Sequence, residues 1–457
     1  MKDNDPHPWR RSYRAALAAL VAMLGFTSPN LAWAAKPPKP PPPPPPAARF
    51  SYLYLGGLGG SDGYAFAINS AGQVVGQSAT ATGYKHAFIV VPKDTNDDEQ
   101  PDLWNSAGTA QGVNSLMTDL GVPPGVEGAS QTYAGDINDL GQVVGQCWGP
   151  NGFLGTWLVT PVDTDDDGQP DMWYQKNKEG ANALMIPLRL GGSYSDWIAI
   201  NNLGQIVSTR SGAGFVLIPV DADNDGRPDT WYQDANGDGV NDLPVDLGQA
   251  LSLSGALVNL QPRDINDDGL IVGFVPRRAG DDRGTPFQLT PKQTASGRVW
   301  FEDLNGDGEN DLVVRLPLPQ TGLVGLATVV NSRGSIAGQF QTSQGPFHAI
   351  LWRADAGGVL QYTDLGVPKN EDYIESRGIN DGDQVVGRTI LYGAQARIRS
   401  YSGWLWENSV MKDVRTLMDK SAELTDRWMA TAGIDNSSRM VGWTGSPAYP
   451  WIAVPTR

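Results

Sequence analysis

One nine-residue pattern, Ile/Val-Asn/Asp-x-x-Gly-x-Val-Val-Gly, returns along the chain at Ile68, Ile137, Ile200, Ile265, Val330, Ile379 and Ile434. The copies read INSAGQVVG, INDLGQVVG, INNLGQIVS, INDDGLIVG, VNSRGSIAG, INDGDQVVG and IDNSSRMVG, spaced by 69, 63, 65, 65, 49 and 55 residues. Each copy is an apolar residue, a turn rich in Asn, Asp and Gly, and a β-branched run, which is the signal of a β-hairpin. A chain with this repeat is restricted to architectures that stack equal units, because one unit cannot bury its own apolar face.

Two further strands accompany each hairpin. One follows it, in HAFIV from His86, TWLV from Thr156, FVLIP from Phe215, FQLTP from Phe287, HAILW from His348, GWLWE from Gly403 and PWIAV from Pro450. Another precedes it, in YLYLGG from Tyr52, TDLG from Thr118, LRLGG from Leu188, VDLG from Val245, VRLPL from Val314, TDLG from Thr363 and KDVRTL from Lys412. Four short strands returning seven times predict an all-β fold, a seven-bladed β-propeller of four-stranded antiparallel blades over residues 50–457. A linear β-solenoid has shorter coils and lacks the hairpin meander. The 457 residues exceed one ordinary compact domain, and a ring of repeats uses that length as a single unit.

The Asn-x-x-Gly-x-Val-Val-Gly hairpin followed by a strand such as His86-Ala87-Phe88 resembles the bacterial extracellular HAF repeat family, which is named for that strand. The resemblance covers nearly all of residues 50–457 and implies export and a repeat fold; it implies no activity. Five of the seven copies lack the histidine.

Five short acidic loops, at 94–102, 163–171, 221–229, 234–242 and 303–311, hold 21 of the 50 Asp and Glu residues, a clustering that points to a cation rather than to solubility. They read DTNDDEQPD, DTDDDGQPD, DADNDGRPD, DANGDGVND and DLNGDGEND, and sit in insertions expected between the third strand of one blade and the first of the next. Calcium takes roughly six to eight oxygens at about 2.3 to 2.6 Å, so side chains at loop positions 1, 3, 5 and 9, with a carbonyl at position 7, nearly fill its shell. The candidate ligands are Asp94, Asn96, Asp98 and Asp102; Asp163, Asp165, Asp167 and Asp171; Asp221, Asp223, Asp225 and Asp229; Asp234, Asn236, Asp238 and Asp242; and Asp303, Asn305, Asp307 and Asp311. Glycine at position 6 permits the sharp turn in four loops, while the first has Glu99. Position 12 holds Asn105, Tyr174, Tyr232, Val245 or Val314, not the bidentate Glu of an EF-hand. The loops are similar to the short calcium loops of FG-GAP propellers and thrombospondin type 3 repeats, and DLNGDGENDLVV is especially close to the former. That resemblance implies side-chain ligation by Asp303, Asn305, Asp307 and Asp311 and carbonyl ligation by Glu309. The loops belong to one cassette built around Trp104, Trp173, Trp231 and Trp300, whose expected role is to pin each loop.

Residues 1–34 read as a signal peptide, with Arg10, Arg11 and Arg14 before the apolar run 15–26 and Ala32-Trp33-Ala34 at the cleavage point. Residues 35–49, with ten positions from Pro37 to Pro46 broken only by Lys39, read as an extended Pro-rich linker. A secreted, periplasmic or cell-surface protein is expected, without a transmembrane segment in the mature chain and as a monomer. A net charge of −16 opposes nucleic-acid binding. The one cysteine, Cys147, permits no intrachain disulfide and reads as a small buried residue.

No catalytic residue is singled out. The mature chain has two histidines, His86 and His348, at one repeat position that elsewhere holds Gly155, Ala213, Thr285, Ser402 and Tyr449. No Gly-x-Ser-x-Gly elbow or phosphate-cradling loop is present. Trp157, Trp352, Trp404, Trp406 and Trp451 fall at strand positions expected to fill cores. The expected function is noncatalytic binding of a protein or glycan partner, with calcium rigidifying one rim. The alternatives are a propeller glycan hydrolase or lyase, which needs only two suitably separated carboxylates, and a purely structural envelope protein.

Overall fold

The computed structural model describes residues 49–457 except 111, 191–196, 224–226, 296, 321, 344, 369–370, 372, 393–397, 420–427 and 457. The expected signal peptide and residues 35–48 of the linker lie outside the described residues, as does Asp225. The chain forms an all-β propeller of small antiparallel sheets, and its only helical element among the described residues is a 3₁₀ turn at Val414–Leu417. No helix among the described residues is long and apolar enough to cross a membrane.

Each sheet starts at an inner strand that ends in the repeated motif. In the first, Gly59–Ile68 pairs with Val74–Thr80, then Lys85–Val90, then Met117–Gly121. The apolar run in Lys85–Val90 follows from coverage on both faces. Phe88 and Val74 pack with Val441 and Ile452 of the last sheet, while Ile89 and Val75 pack with Ala134 and Val143 of the second. The core therefore lies between successive sheets, and Trp157, Trp352, Trp404 and Trp451 are fully buried in it.

Two expectations are corrected. The strand that precedes each hairpin belongs to the sheet of the repeat before it: Met117–Gly121 pairs with Lys85–Val90, not with Gln131–Ile137. The acidic cassette therefore lies within a sheet, between its third and fourth strands. At the ends of the chain the same offset closes the ring, because Phe50–Tyr54 pairs with Tyr449–Pro455 as the fourth strand of the last sheet. Secondly, five sheets stand as separate four-stranded units, not seven. The other strands of the expected blades form one eight-stranded sheet, from Gln261–Ile265 to Leu360–Gly366, joined in its middle through the single pair Gly284 and Gly325. Two facing glycines allow that backbone contact, which side chains would hold apart.

The motif's features have separate causes. Its last glycine faces a β-bulge in the inner strand, and a Cβ on Gly76 would lie 1.9 Å from the Tyr64 carbonyl oxygen. The third copy has Ser208 there, whose hydroxyl donates to the Trp197 carbonyl at 2.7 Å. The motif asparagine links neighbours. The Nδ2 of Asn69 donates to the carbonyl of Asn138, that of Asn138 to Asn201, Asn201 to Asn266, Asn266 to Asn331, Asn331 to Asn380 and Asn380 to Asp435, all at 2.9 to 3.1 Å. All seven residues are buried. The last repeat has Asp435 in place of Asn; its carboxylate holds Arg439, which donates to the Ser70 carbonyl at 2.7 Å and completes the circuit.

Candidate functional site

The acidic loops carry a common internal hydrogen-bond register. In the loop from Asp163, the Asp163 carboxylate accepts from Gly168 N at 2.7 Å, Asp165 accepts from Asp167 N, Asp167 accepts from Gln169 N at 2.8 Å and Asp171 accepts from Thr164. The same pattern, position 1 to N of 6, 3 to N of 5, 5 to N of 7 and 9 to N of 2, recurs in the loops from Asp94, Asp234 and Asp303. Each carboxylate is thereby turned inward by the backbone of its own loop. Positions 4 and 6 adopt left-handed φ throughout these loops, at Gly237 and Gly239, Gly306 and Gly308, Asp166 and Gly168, and Asp97 and Glu99. The sequence reading identified position 6; glycine at position 4 in two loops was the signal for the other.

The carboxylates converge. Oxygens of Asp163, Asp165 and Asp167 lie within 4.8 Å of one another, and so do those of Asp221, Asp223 and Asp229. Ligands on opposite sides of a calcium ion stand about 4.6 to 5.2 Å apart, twice the bond length, so the spacing and hard-oxygen donor set fit that ion. Asp171 joins its loop through Thr164 rather than through the Asp163 group. In the loops from Asp94, Asp234 and Asp303, position 3 is an asparagine whose Oδ1 accepts from the backbone N of position 5 at 2.9 to 3.0 Å. The charge on Asp167 pushes the Asp165 carboxyl up, whereas N–H donors led by Gly239 hold Asp234 down. Crowded carboxylates fixed by backbone donors are the arrangement that a divalent cation relieves.

Each cassette is anchored by two buried residues. The indole N–H groups of Trp104, Trp173, Trp231 and Trp300 donate at 2.8 Å to the carbonyls of Gly72, Gly141, Gly204 and Gly269, the turn glycines of the motif. Asn114, Asn182, Asn241 and Asn310 each donate Nδ2 both to the carbonyl of that tryptophan and to a neighbouring segment, at 2.7 to 3.1 Å. The sequence reading missed the asparagine, although Asn-x-Leu recurs nine or ten residues after each tryptophan.

Cassettes and motif turns occupy one end of the strands. Just before the motif, the inner strands enclose a cavity of about 370 Å³ lined by Tyr133, Asp136, Trp197, Arg263, Asp264 and Arg377 among others. Burial pushes the Asp136 carboxyl up to about 7, against N–H donors from Ile200 and Ile137. Burial and then the charge of Asp136 push Asp264 up to about 8, and its oxygens accept from Val330 and Ile265 N. Burial would raise Glu375 too, but Arg377 and Arg388 outweigh it and hold that carboxyl down at about 2. His86 and His348 each place Nδ1 2.9 to 3.0 Å from the carboxylate of Asp119 or Asp364 on the adjacent strand. Cys147 is buried, and burial pushes its thiol up to about 12, which makes it a poor nucleophile.

No protein-family model and no curated protein matches the chain. Among solved structures it is similar to a protein of unknown function from Dyadobacter fermentans, at 8% identity over 90% of this chain and 99% of that one, with a TM-score of 0.34. It is also similar to a triple arginine-to-alanine mutant of AofleA from Arthrobotrys oligospora, at 10% identity over 80% and 88% of the two chains, with a TM-score of 0.30.

Proposed function

We propose that this chain is an exported, seven-bladed β-propeller whose acidic loops bind calcium and which acts as a noncatalytic binding protein for a protein or glycan partner. The count of seven is supported by the inner strands, which touch in sequence from Gly59–Ile68 through Gln131–Ile137, Ala199–Ile200, Gln261–Ile265, Gly322–Val330, Tyr373–Ile379 and Met429–Ile434 and back to the first. On this reading the eight-stranded sheet is two blades meeting at Gly284 and Gly325. Calcium rests on one observation: four loops of different sequence hold their ligand positions in one hydrogen-bond register.

The glycan hydrolase reading finds its best support in Asp136 and Asp264, two carboxyls with raised pKa in one cavity. Both oxygens of Asp136 accept backbone N–H groups, from Ile137 and from Ile200 on the next inner strand, and Asp264 bridges to Val330 in the same way. Such engagement favours a bracing role. The deciding experiment is thermal unfolding of residues 36–457 in EDTA and in millimolar calcium, with metal stoichiometry on the same sample. Four or five bound ions and a large rise in the midpoint are expected; no bound metal would defeat the calcium reading.

A further inference from the structure

Seven copies of one unit in a single chain allow positions to be compared without any other protein. The motif asparagine and its turn stay nearly constant, whereas the position two residues before the motif's Ile or Val holds Phe66, Gly135, Ile198, Arg263, Thr328, Arg377 and Ala432. Every one of these lines the cavity of about 370 Å³. In six of the repeats it is the extra residue of a bulge in the inner strand, where the register slips between, for example, Ala65 and Ala67 or Pro262 and Asp264. A bulge re-aims the side chain it carries. Structural need holds the motif constant, while the position just before it brings six different residue types, arginine twice, to one cavity.

The delivered chemistry is specific. Guanidiniums of Arg263 and Arg377 stand over the ring of Trp197, 4.8 and 4.9 Å from its centroid. Arg377 and Arg388 share one carboxylate, Glu375, at 2.7 Å each. From the cavity an aromatic belt runs outward along the same end. Phe66 meets Tyr133 edge-on at 5.8 Å, Tyr133 stacks on Trp148 at 5.2 Å, and on the other side Phe66 and Tyr64 meet Trp443. Tyr133, Trp148, Tyr64 and Phe66 are partly exposed. They line grooves of about 490 and 590 Å³ that share Phe66, Tyr133, Trp443 and Arg377 with the cavity. Small-molecule sites run roughly 300 to 1,000 Å³, so the cavity holds one sugar-sized group and the grooves its neighbours.

Cations are concentrated at this face of a net-acidic chain. In a chain of net charge −16, four cations, Arg263, Arg377, Arg388 and Lys85, gather here, where Lys85 pairs with Asp62 and Glu375 serves two arginines. Burial raises the Asp136 carboxyl to about 7 and Asp264 to about 8, and both oxygens of each are engaged by backbone N–H groups, which weakens the competition of these two acids for the guanidiniums. Flat aromatic faces stack on sugar rings, and guanidinium forks take a carboxylate in two parallel hydrogen bonds. A nucleic acid, with a charge at every unit, is disfavoured by the acidic surface beyond this patch.

We propose that the aromatic and guanidinium end of the channel binds an oligosaccharide terminating in one carboxylated sugar, with the acid group beside Arg263 and Arg377 and the following sugars across Tyr133 and Trp148. The proposal rests on the binding-protein reading and names its ligand class and its face. The test titrates the mature chain, in calcium, with glucuronosyl-xylotriose against xylotetraose, galacturonosyl-rhamnose against galactosyl-rhamnose, and a thymidine hexanucleotide. At least one acidic saccharide is expected to bind saturably, with its neutral counterpart tenfold or more weaker. Trp148→Ala and Arg263→Gln should each weaken it at least tenfold while calcium stoichiometry is unchanged. If Trp148→Ala lowers the unfolding midpoint, Trp148→Phe must restore both fold and affinity. Equal binding of the neutral counterparts, equal binding of the hexanucleotide, affinity that survives both substitutions, or no binding of any saccharide would each overturn the proposal. Turnover of a bound probe would instead overturn the noncatalytic reading and leave the site in place.

Discussion

The two ends of the inner strands differ in what repetition has preserved. At the motif end, the same asparagine donates to the next repeat six times and an Asp435–Arg439 pair substitutes at the seam. At the cavity end, equivalent positions range from Gly135 to Arg377. A ring needs identical joints, because each joint must supply the same rotation, but it places no such demand on the opposite rim. Positions only three residues apart on each inner strand thus take the two roles, joint and proposed ligand contact, and perturbation of the acidic loops should leave the cavity intact.

The largest test of that separation is removal of calcium. Each site saturated at 100 times its dissociation constant contributes about 2.7 kcal/mol, so loss of several sites should lower the midpoint steeply in EDTA. Near-ultraviolet circular dichroism should register the change at Trp104, Trp173, Trp231 and Trp300, which are tied to the loops, while Trp148 and Trp197 keep their accessibility to a neutral quencher. A quencher response that rises equally at both ends would show that the ends are coupled. Next in size is Asn201→Ala. It leaves the Asn266 carbonyl and Gln205 without their buried donor, and the N–H groups of Leu203 and Gln205 without an acceptor. Urea unfolding should show a loss of about 3 kcal/mol, since a buried polar group stripped of its partner costs about 1 to 3 kcal/mol and two sets are affected here.

The motif end was the legible one. Its hairpins, third strands and acidic loops follow from local signals, namely β-branched runs, Asx-Gly turns and carboxylates at alternate positions. Pairing of Met117–Gly121 was not legible, because TDLG ends ten residues before Gln131 but begins twenty-eight after Val90, and nearness in sequence favoured the wrong partner. The cavity end was hidden for a different reason. A search for repeats discards positions that vary, and Arg263, Arg377 and Trp197 come together only when ring closure brings three repeats to one axis. Asn114 and its equivalents escaped because a buried amide bridging two segments leaves no trace beyond its own spacing.

A smaller effect sharpens the comparison at the cavity end. Asp136 holds its proton more tightly in the folded state, at about 7, than an unfolded aspartate does near 4. Its contribution to stability is therefore complete below about pH 4 and is lost as pH rises toward 7, and Asp264 extends the same trend to about 8. Asp139 adds to the rise at Asp136, while Ile137 and Ile200 N–H groups oppose it. Asp136→Asn forfeits one of those backbone hydrogen bonds but removes the buried charge. Relative to the parent it should be less stable at pH 5 and should gain roughly 2 kcal/mol between pH 5 and 8, read by urea unfolding in EDTA. A pH-independent difference would mean that the carboxyl titrates as it does in water.

The smallest effect lies within the acidic cassettes themselves. Gly168, Gly239 and Gly308 occupy position 6 with φ between 81 and 86°, and the first loop holds Glu99 there at 65°. A non-glycine residue in the left-handed region costs about 1 to 2 kcal/mol, while glycine returns roughly 0.5 to 1 of that through the greater freedom of the unfolded chain. Glu99→Gly should therefore stabilise the calcium-free protein by under about 1 kcal/mol. Because the Asp94 carboxylate already accepts from the backbone N of residue 99, the substitution preserves the loop register. It should also raise the calcium affinity of this loop, since a chain already relaxed in the ligating turn gives up less on binding. Destabilisation in EDTA would instead assign the Glu99 side chain a favourable contact larger than the backbone strain it carries.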